Sequence, residues 1–245
     1  MKNITIYGDS IMRGTVPDRD FRYQFKFPQF LEKFLQSCNA TVINRAQFGA
    51  TISKGLRTVQ RDLSRGEPSE YALVEYGGND CNFDWAAISS APDGEYCPAT
   101  DPEEFLVTLE DITSLLQKNG VKPILMTLPP IDAERYLKFI CRDGLSYDRI
   151  LSWLGDVQMI YRYHELYSNN ISKFAFENGL PLIDVRSEFL SRHDLQELIS
   201  EDGIHPSEKG YDLLRQTFES VFLDGESSNA LLMGGCSCIP NRASA

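Results

Sequence analysis

The sequence predicts an α/β protein, a three-layer α/β/α sandwich with a central parallel sheet of about five strands. Short apolar runs alternate with longer amphipathic stretches along most of the 245-residue chain. The stretches between the runs are long enough for the crossovers, of roughly a dozen residues or more, that parallel strands require. A composition of 42% hydrophobic and 24% charged residues is that of a chain able to bury a core.

The strand candidates are residues 2–7 (KNITIY), 41–46 (TVINRA), 71–76 (YALVEY), 122–128 (KPILMTL) and 181–185 (PLIDV). Between the first two, Phe27, Phe30, Leu31, Phe34 and Leu35 recur at helical spacing. A second helix carries Phe105, Leu106, Leu109, Ile112, Leu115 and Leu116. It opens on Asp101-Pro102-Glu103-Glu104, a capping acid followed by proline and acids in the first turn, and stops at Asn119-Gly120. A third is expected over about 157–178, ending at Asn178-Gly179, and a last one over about 206–222, opening with Pro206.

Two stretches, about 81–101 and 129–156, exceed ordinary strand-to-helix loops and carry aromatics: Phe83, Trp85 and Tyr96 in one, Tyr136, Phe139, Tyr147 and Trp153 in the other. They are candidate pocket walls, because ligands of open parallel sheets bind outside the carboxyl ends of the strands. Their aromatics are equally suited to closing a small core. The expected organisation is one domain over residues 1–222 and a C-terminal tail over 223–245, to which no role is assigned.

The net charge of −11 argues against a nucleic-acid partner and against attraction to anionic lipid. No apolar run approaches the ~20 residues of a membrane span, and the first residues alternate like a strand rather than forming a leader. The six cysteines are irregularly spaced and read as reduced thiols, so a cytoplasmic location is expected. Cys236-Ser-Cys238 lacks the second pair of ligands that tetrahedral zinc needs, and no metal or cofactor is expected.

Four features after the strands and before the last helix carry chemistry. Gly8-Asp9-Ser10 follows the first strand, where a serine hydroxyl stands at the top of the sheet; a plain turn has the same appearance. Among the three histidines, His164 lies within a helix as a packed or surface residue, and His193 is expected to be exposed. His205, in Asp202-Gly203-Ile204-His205-Pro206, has a carboxylate three residues before it that can fix its tautomer, although a histidine there can also cap a helix. Gly77-Gly78-Asn79-Asp80 offers an amide donor after the third strand, or simply a glycine-rich turn. Gly49, past the second strand, lets a backbone N–H approach a ligand closely, or is a loop glycine.

Taken together and in this order, the four blocks resemble the SGNH hydrolases, the GDSL-like esterases and lipases. The resemblance runs from residue 2 to about 222, with Ile11 where the family name has leucine. It implies Ser10 as nucleophile, His205 as general base and then acid, Asp202 as its orienting partner, and an oxyanion hole of the Ser10 and Gly49 amides with the Asn79 side chain. Asp9 and Asp80 read as structural, fixing loops through bonds to the backbone. The implied activity is hydrolysis of a small-molecule acyl ester, of short chain or a carbohydrate acetyl ester, without cofactor. A lysophospholipase or thioesterase would use the same triad, and a catalytically silent ligand-binding domain would keep the fold. A flavodoxin-like nucleotide binder is set aside because no phosphate loop follows the first strand. Nothing in the residues fixes the oligomeric state.

Overall fold

The computed structural model describes residues 2–18, 20–26, 40–66 and 69–224. Strands β1 (Lys2–Gly8), β4 (Ala40–Asn44), β5 (Tyr71–Glu75), β6 (Lys122–Met126) and β7 (Leu182–Ile183) form one sheet in the order β4-β1-β5-β6-β7. Every neighbouring pair is parallel, as the predicted α/β/α sandwich requires. A separate antiparallel pair, β2 (Thr15–Pro17) and β3 (Tyr23–Phe25), was not anticipated.

The period-two pattern of the strands feeds two cores. On one face Tyr7, Val74 and Leu125 pack against helices α1 (Ile52–Ser64), α3 (Pro102–Lys118) and α6 (Gln158–Glu177) through Val59, Phe105, Ile112 and Tyr167. On the other, Ile6, Leu73 and Met126 meet α7 (Val185–Leu190) and α9 (Glu208–Asp224) through Phe189, Leu214 and Phe218. Asp101 caps α3 by accepting from Glu103 N, with Pro102 as its first residue, as its sequence predicts.

Several boundaries differ from expectation. The fifth strand, expected over 181–185, is two residues long. Asp184 accepts from Ser187 N (3.1 Å) and caps α7, turning the chain out of the sheet at once. The last helix starts at Glu208, not at Pro206. Pro206 instead bridges Ile199, and Ser207 Oγ accepts from Gly210 N at 3.2 Å. The two long stretches are helical: the first contains α2 (Trp85–Ser90), the second α4 (Ala133–Cys141) and α5 (Tyr147–Leu154). Their aromatics join a satellite core of Phe83, Trp85, Tyr136, Leu137, Ile150 and Ile160, with Tyr96, Phe139, Tyr147 and Trp153 packed at its margin. The amphipathic segment of Phe27 to Leu35, and the tail with Cys236 and Cys238 beyond Asp224, lie outside the described residues. Among the described residues, no helix is long and apolar enough to cross a membrane.

Asp80, just past β5, ties the layers together at the carboxyl edge of the sheet. Its carboxyl accepts from Ile52 N (3.0 and 3.2 Å), the first residue of α1, and from Thr100 Oγ1 (2.7 Å), just before α3. Burial nevertheless raises its pKa from 3.8 to about 6, because the hydrogen bonds offset only part of the lost hydration.

Two substitutions probe this packing. Phe105→Ala removes a fully buried ring that meets Tyr167 edge-on, and urea unfolding should report a loss of about 3–5 kcal/mol. For Asp80 the folded state holds its proton more tightly than the unfolded chain. Its contribution to stability is therefore full below about pH 3.8 and is lost as pH rises through about 6. Asp80→Asn should accordingly gain on the wild type as pH is raised from 4 to 6, with a constant difference above that. A pH-independent difference in unfolding free energy would show that Asp80 titrates normally.

Candidate active site

The strand order places β1 between β4 and β5, so the turns that follow these three strands emerge side by side. The turn after β1 carries Ser10, that after β4 carries Gly49, and that after β5 carries Asn79. Asp9 Oδ1 accepts from Ile11 N at 2.8 Å and closes the first turn around Ser10. A Cβ at Gly8 would lie 2.9 Å from both Glu75 Oε2 and Met12 Cβ, so the chain leaves β1 through a gap that only glycine fits.

Ser10 Oγ lies 2.9 Å from His205 Nε2, and His205 Nδ1 lies 2.6 Å from Asp202 Oδ2. Asp202 is fully buried, and its Oδ1 also accepts from Ile204 N and His205 N at 3.1 Å each. A carboxylate so placed fixes Nδ1 as the protonated ring nitrogen, leaving Nε2 to accept from the serine hydroxyl. The loop owes its position to Gly203. Its φ is +79°, and a Cβ there would stand 2.4 Å from Tyr136 N and 2.6 Å from Asp132 O, both at the start of α4. Gly203 O in turn accepts from Asp132 N at 2.8 Å. The second long stretch thus holds the loop that carries the imidazole.

Asn79 Nδ2 lies 3.0 Å from Asp9 Oδ2 and 3.1 Å from Ala50 O, joining all three turns. The backbone of Gly49 is left-handed. Its φ is +68° and a Cβ would meet nothing within 4 Å, so the left-handed backbone, not crowding, selects glycine. His193 is exposed, as expected, and takes part in none of these bonds.

Several residues at the site escaped the sequence reading. Glu75, at the end of β5, is fully buried, and its Oε2 accepts from Asp9 N at 3.2 Å. Burial, and then the Asp9 charge, push Glu75 well above the usual carboxylate range, while burial lifts Asp9 to about 6. The only trace in the sequence is one acid ending an apolar strand. Tyr23 and Phe48 flank the imidazole, with ring centroids 5.2 and 6.2 Å from that of His205. Tyr23 arrives on the small hairpin, whose runs Thr15-Val16-Pro17 and Tyr23-Gln24-Phe25 carried a strand signal of β-branched and aromatic residues. His164 is buried on α6, with Nδ1 3.4 Å from Arg186 Nη1. Burial, aided by the Arg186 charge, lowers its pKa to about 3.

A cavity of about 90 Å³ opens beside Ser10 and Asn79. Phe83, Trp85 and Tyr136 of the two long stretches line it together with Leu128, Ile131, Ile160 and His164. Tyr96, Phe139, Tyr147 and Trp153 do not, so those stretches supply both pocket wall and satellite core. Among the described residues, no group of three or more His, Cys, Asp or Glu is arranged to hold a metal ion.

No curated protein sequence matches the chain. Among solved structures it is similar to the lipase/acylhydrolase from Enterococcus faecalis, at 21% identity and TM-score 0.61, with 89% of this chain and 94% of that one covered. It is similar also to a GDSL-like lipase from Bacteroides thetaiotaomicron, at 16% identity and TM-score 0.61, covering 91% and 89% of the two chains. A member of the lipolytic protein G-D-S-L family from Veillonella parvula gives 18% identity and TM-score 0.62, with 91% and 99% covered. At such identities the likeness is one of fold. The sequence profile of the GDSL-like Lipase/Acylhydrolase family matches residues 6–213 and so embraces all four blocks. The chain belongs to that family and is an SGNH-type ester hydrolase.

Proposed function

We infer that the protein is a serine esterase for short acyl esters, a carbohydrate acetyl ester foremost, working through a covalent acyl-enzyme. The observation that carries this reading is the continuous line from Ser10 Oγ through the His205 ring to buried Asp202, at 2.9 and 2.6 Å. Ser10 Oγ attacks the ester carbonyl as its proton passes to His205 Nε2, and Asp202 stabilises the imidazolium. His205 then gives that proton to the departing alcohol, and a water deprotonated by the same nitrogen releases the acid. The oxyanion is received by the Ser10 and Gly49 amides, neither of which has a hydrogen-bond acceptor among the described residues, and by Asn79 Nδ2. For this the amide exchanges its contact with the neutral Ala50 carbonyl for one with a charged oxygen. No metal or cofactor enters these steps.

Two features support the choice of ester. Where one water occupies ~10–15 Å³, about 90 Å³ holds an acyl group of a few carbons and leaves no room for a long chain. Outside it, beside the nitrogen that protonates the alcohol, Phe48 (43% exposed) and Phe25 (48% exposed) present an aromatic surface with Tyr23. Such faces suit the flat apolar side of a sugar ring. The free thiols Cys81, Cys97 and Cys141 fit a reducing, cytoplasmic setting. The catalytic unit in this reading is residues 1–222.

A fluorophosphonate probe should label Ser10, and Ser10→Ala and His205→Ala should each abolish turnover of 4-nitrophenyl acetate. Absence of labelling in the wild type would favour a silent binding domain. Asn79→Ala should lower kcat by roughly 10²–10³, and a loss near tenfold would reject it as an oxyanion donor. Across a 4-nitrophenyl series, acetate and butyrate should be cleaved faster than octanoate; the reverse order would point to a lysophospholipase or thioesterase. Phe48→Ala should raise KM for acetylated sugars several-fold at little change in kcat.

A further inference from the structure

Behind the cavity wall, against His164, lies a buried arginine for which the acyl-transfer chemistry has no use. Arg186, on α7, is 6% exposed and forms no ion pair among the described residues. Its Nη1 lies 3.3 Å from Leu128 O and 3.4 Å from His164 Nδ1, and its guanidinium carbon lies 5.0 Å from the centre of the Tyr161 ring. Nε and Nη2 have no partner among the described residues. A buried guanidinium held so sparingly is costly, which calls for a reason in the groups it touches.

The effect of Arg186 on His164 supplies one. A guanidinium can only donate, so Nδ1 of His164 must accept, and the ring proton sits on Nε2. Burial and the adjacent cation keep the imidazole neutral, with its pKa lowered to about 3. Nε2 has no hydrogen-bond partner among the described residues, and His164 lines the cavity. Asn82 repeats the arrangement on the same cavity. Its Oδ1 accepts from Trp85 Nε1 (2.7 Å) and Tyr136 Oη (2.9 Å), which fixes the amide and leaves Nδ2 without a partner among the described residues. A small, largely apolar cavity thus holds two oriented, neutral N–H donors beyond those assigned to the oxyanion.

We propose that His164, locked by Arg186, and Asn82 form a polar subsite that binds a hydrogen-bond-accepting oxygen (hydroxyl, ether or oxo) carried on the substrate's acyl group. This rests on the reading of Ser10 as the nucleophile of an esterase. The occupant is assigned to the acyl side because the rim aromatics Tyr23 and Phe48, which flank His205, do not line this cavity. A sugar ring exceeds it, whereas a short oxygen-bearing acyl chain fills it and pairs donors that a plain alkyl chain leaves unmet.

The test uses pairs of 4-nitrophenyl esters in which oxygen replaces one CH2 at successive positions: butyrate against methoxyacetate, and pentanoate against 3-methoxypropanoate. Each kcat/KM is divided by the ester's own hydroxide-catalysed rate. The wild type should prefer the oxygen-bearing member of at least one pair by about fivefold or more, the usual worth of a neutral hydrogen bond. In His164→Phe, which keeps a ring but removes the donor, that ratio should fall to near one. Ratios within twofold at every position, or a preference that survives His164→Phe, would overturn the subsite. Because the variant can fail to fold, a second measurement leaves residue 164 intact. In Ser10→Ala protein with 15N-labelled histidine, methyl methoxyacetate or methyl 3-methoxypropanoate should move the Nε2 resonance of His164, and methyl butyrate should not. Equal responses to all three would also overturn the proposal. A wild type that cleaves none of the esters and takes no fluorophosphonate label would instead bring down the esterase reading itself.

Discussion

The catalytic edge of this protein depends on how three buried carboxyl groups are accommodated without an ion pair among the described residues. Asp9, Glu75 and Asp80 lie together behind Ser10, and burial raises the pKa of each. Such a cluster survives only if protons and N–H donors replace the lost hydration. Burial pushes Glu75 up furthest while its Oε2 accepts from Asp9 N, and Asp9 collects donors from Ile11 and Asn79. Asp80 collects its own from Ile52 and Thr100. Satisfying these carboxyls is what pins the turns after β1, β4 and β5 to one another.

Positioning of the base is divided between two parts of the fold. The sheet edge sets Ser10 and Asn79, but the Asp202–His205 loop rests on the start of α4 through the backbone of Gly203. That helix belongs to the satellite core, which also provides Phe83, Trp85 and Tyr136 to the cavity wall. The same packing therefore places the imidazole and shapes the space next to it. A change in the satellite core acts on both turnover and substrate fit, although none of its members touches Ser10 Oγ.

Much of the architecture was legible because local chemistry and fold agree: strand alternation reappears as Tyr7 in one core and Ile6 in the other, and Asp101-Pro102 opens α3. Ser10, His205, Asp202, Gly49 and Asn79 were picked out through short motifs, and the structure brings Ser10, His205 and Asp202 within hydrogen-bond distance. What escaped is set by contacts distant in sequence. Nothing in Tyr-Ala-Leu-Val-Glu tells that Glu75 faces Asp9 sixty-six residues away, nor does an α6 histidine announce an arginine twenty-two residues later. Boundaries slipped where a side chain intervened, as when Asp184 capped α7 and ended β7 after Ile183. Gly49 shows a further limit: the glycine was recognised, but its left-handed backbone was not legible in the sequence.

The charges around the cavity have a consequence for what can enter it. Carboxyl groups lie at the Ser10 end, a guanidinium lies behind the wall, and between them stand neutral His164 and the neutral amide of Asn82. An anionic acyl chain would gain from Arg186 only through the imidazole, while meeting Asp9 near the serine and a net charge of −11 on the approach. A cationic one would face the guanidinium. A neutral group with an oxygen acceptor meets neither penalty and satisfies donors already oriented by Arg186, Trp85 and Tyr136. In the proposed subsite the electrostatic layout thus weighs against charge at both ends of the pocket, and the polar wall would then discriminate among the neutral esters that remain.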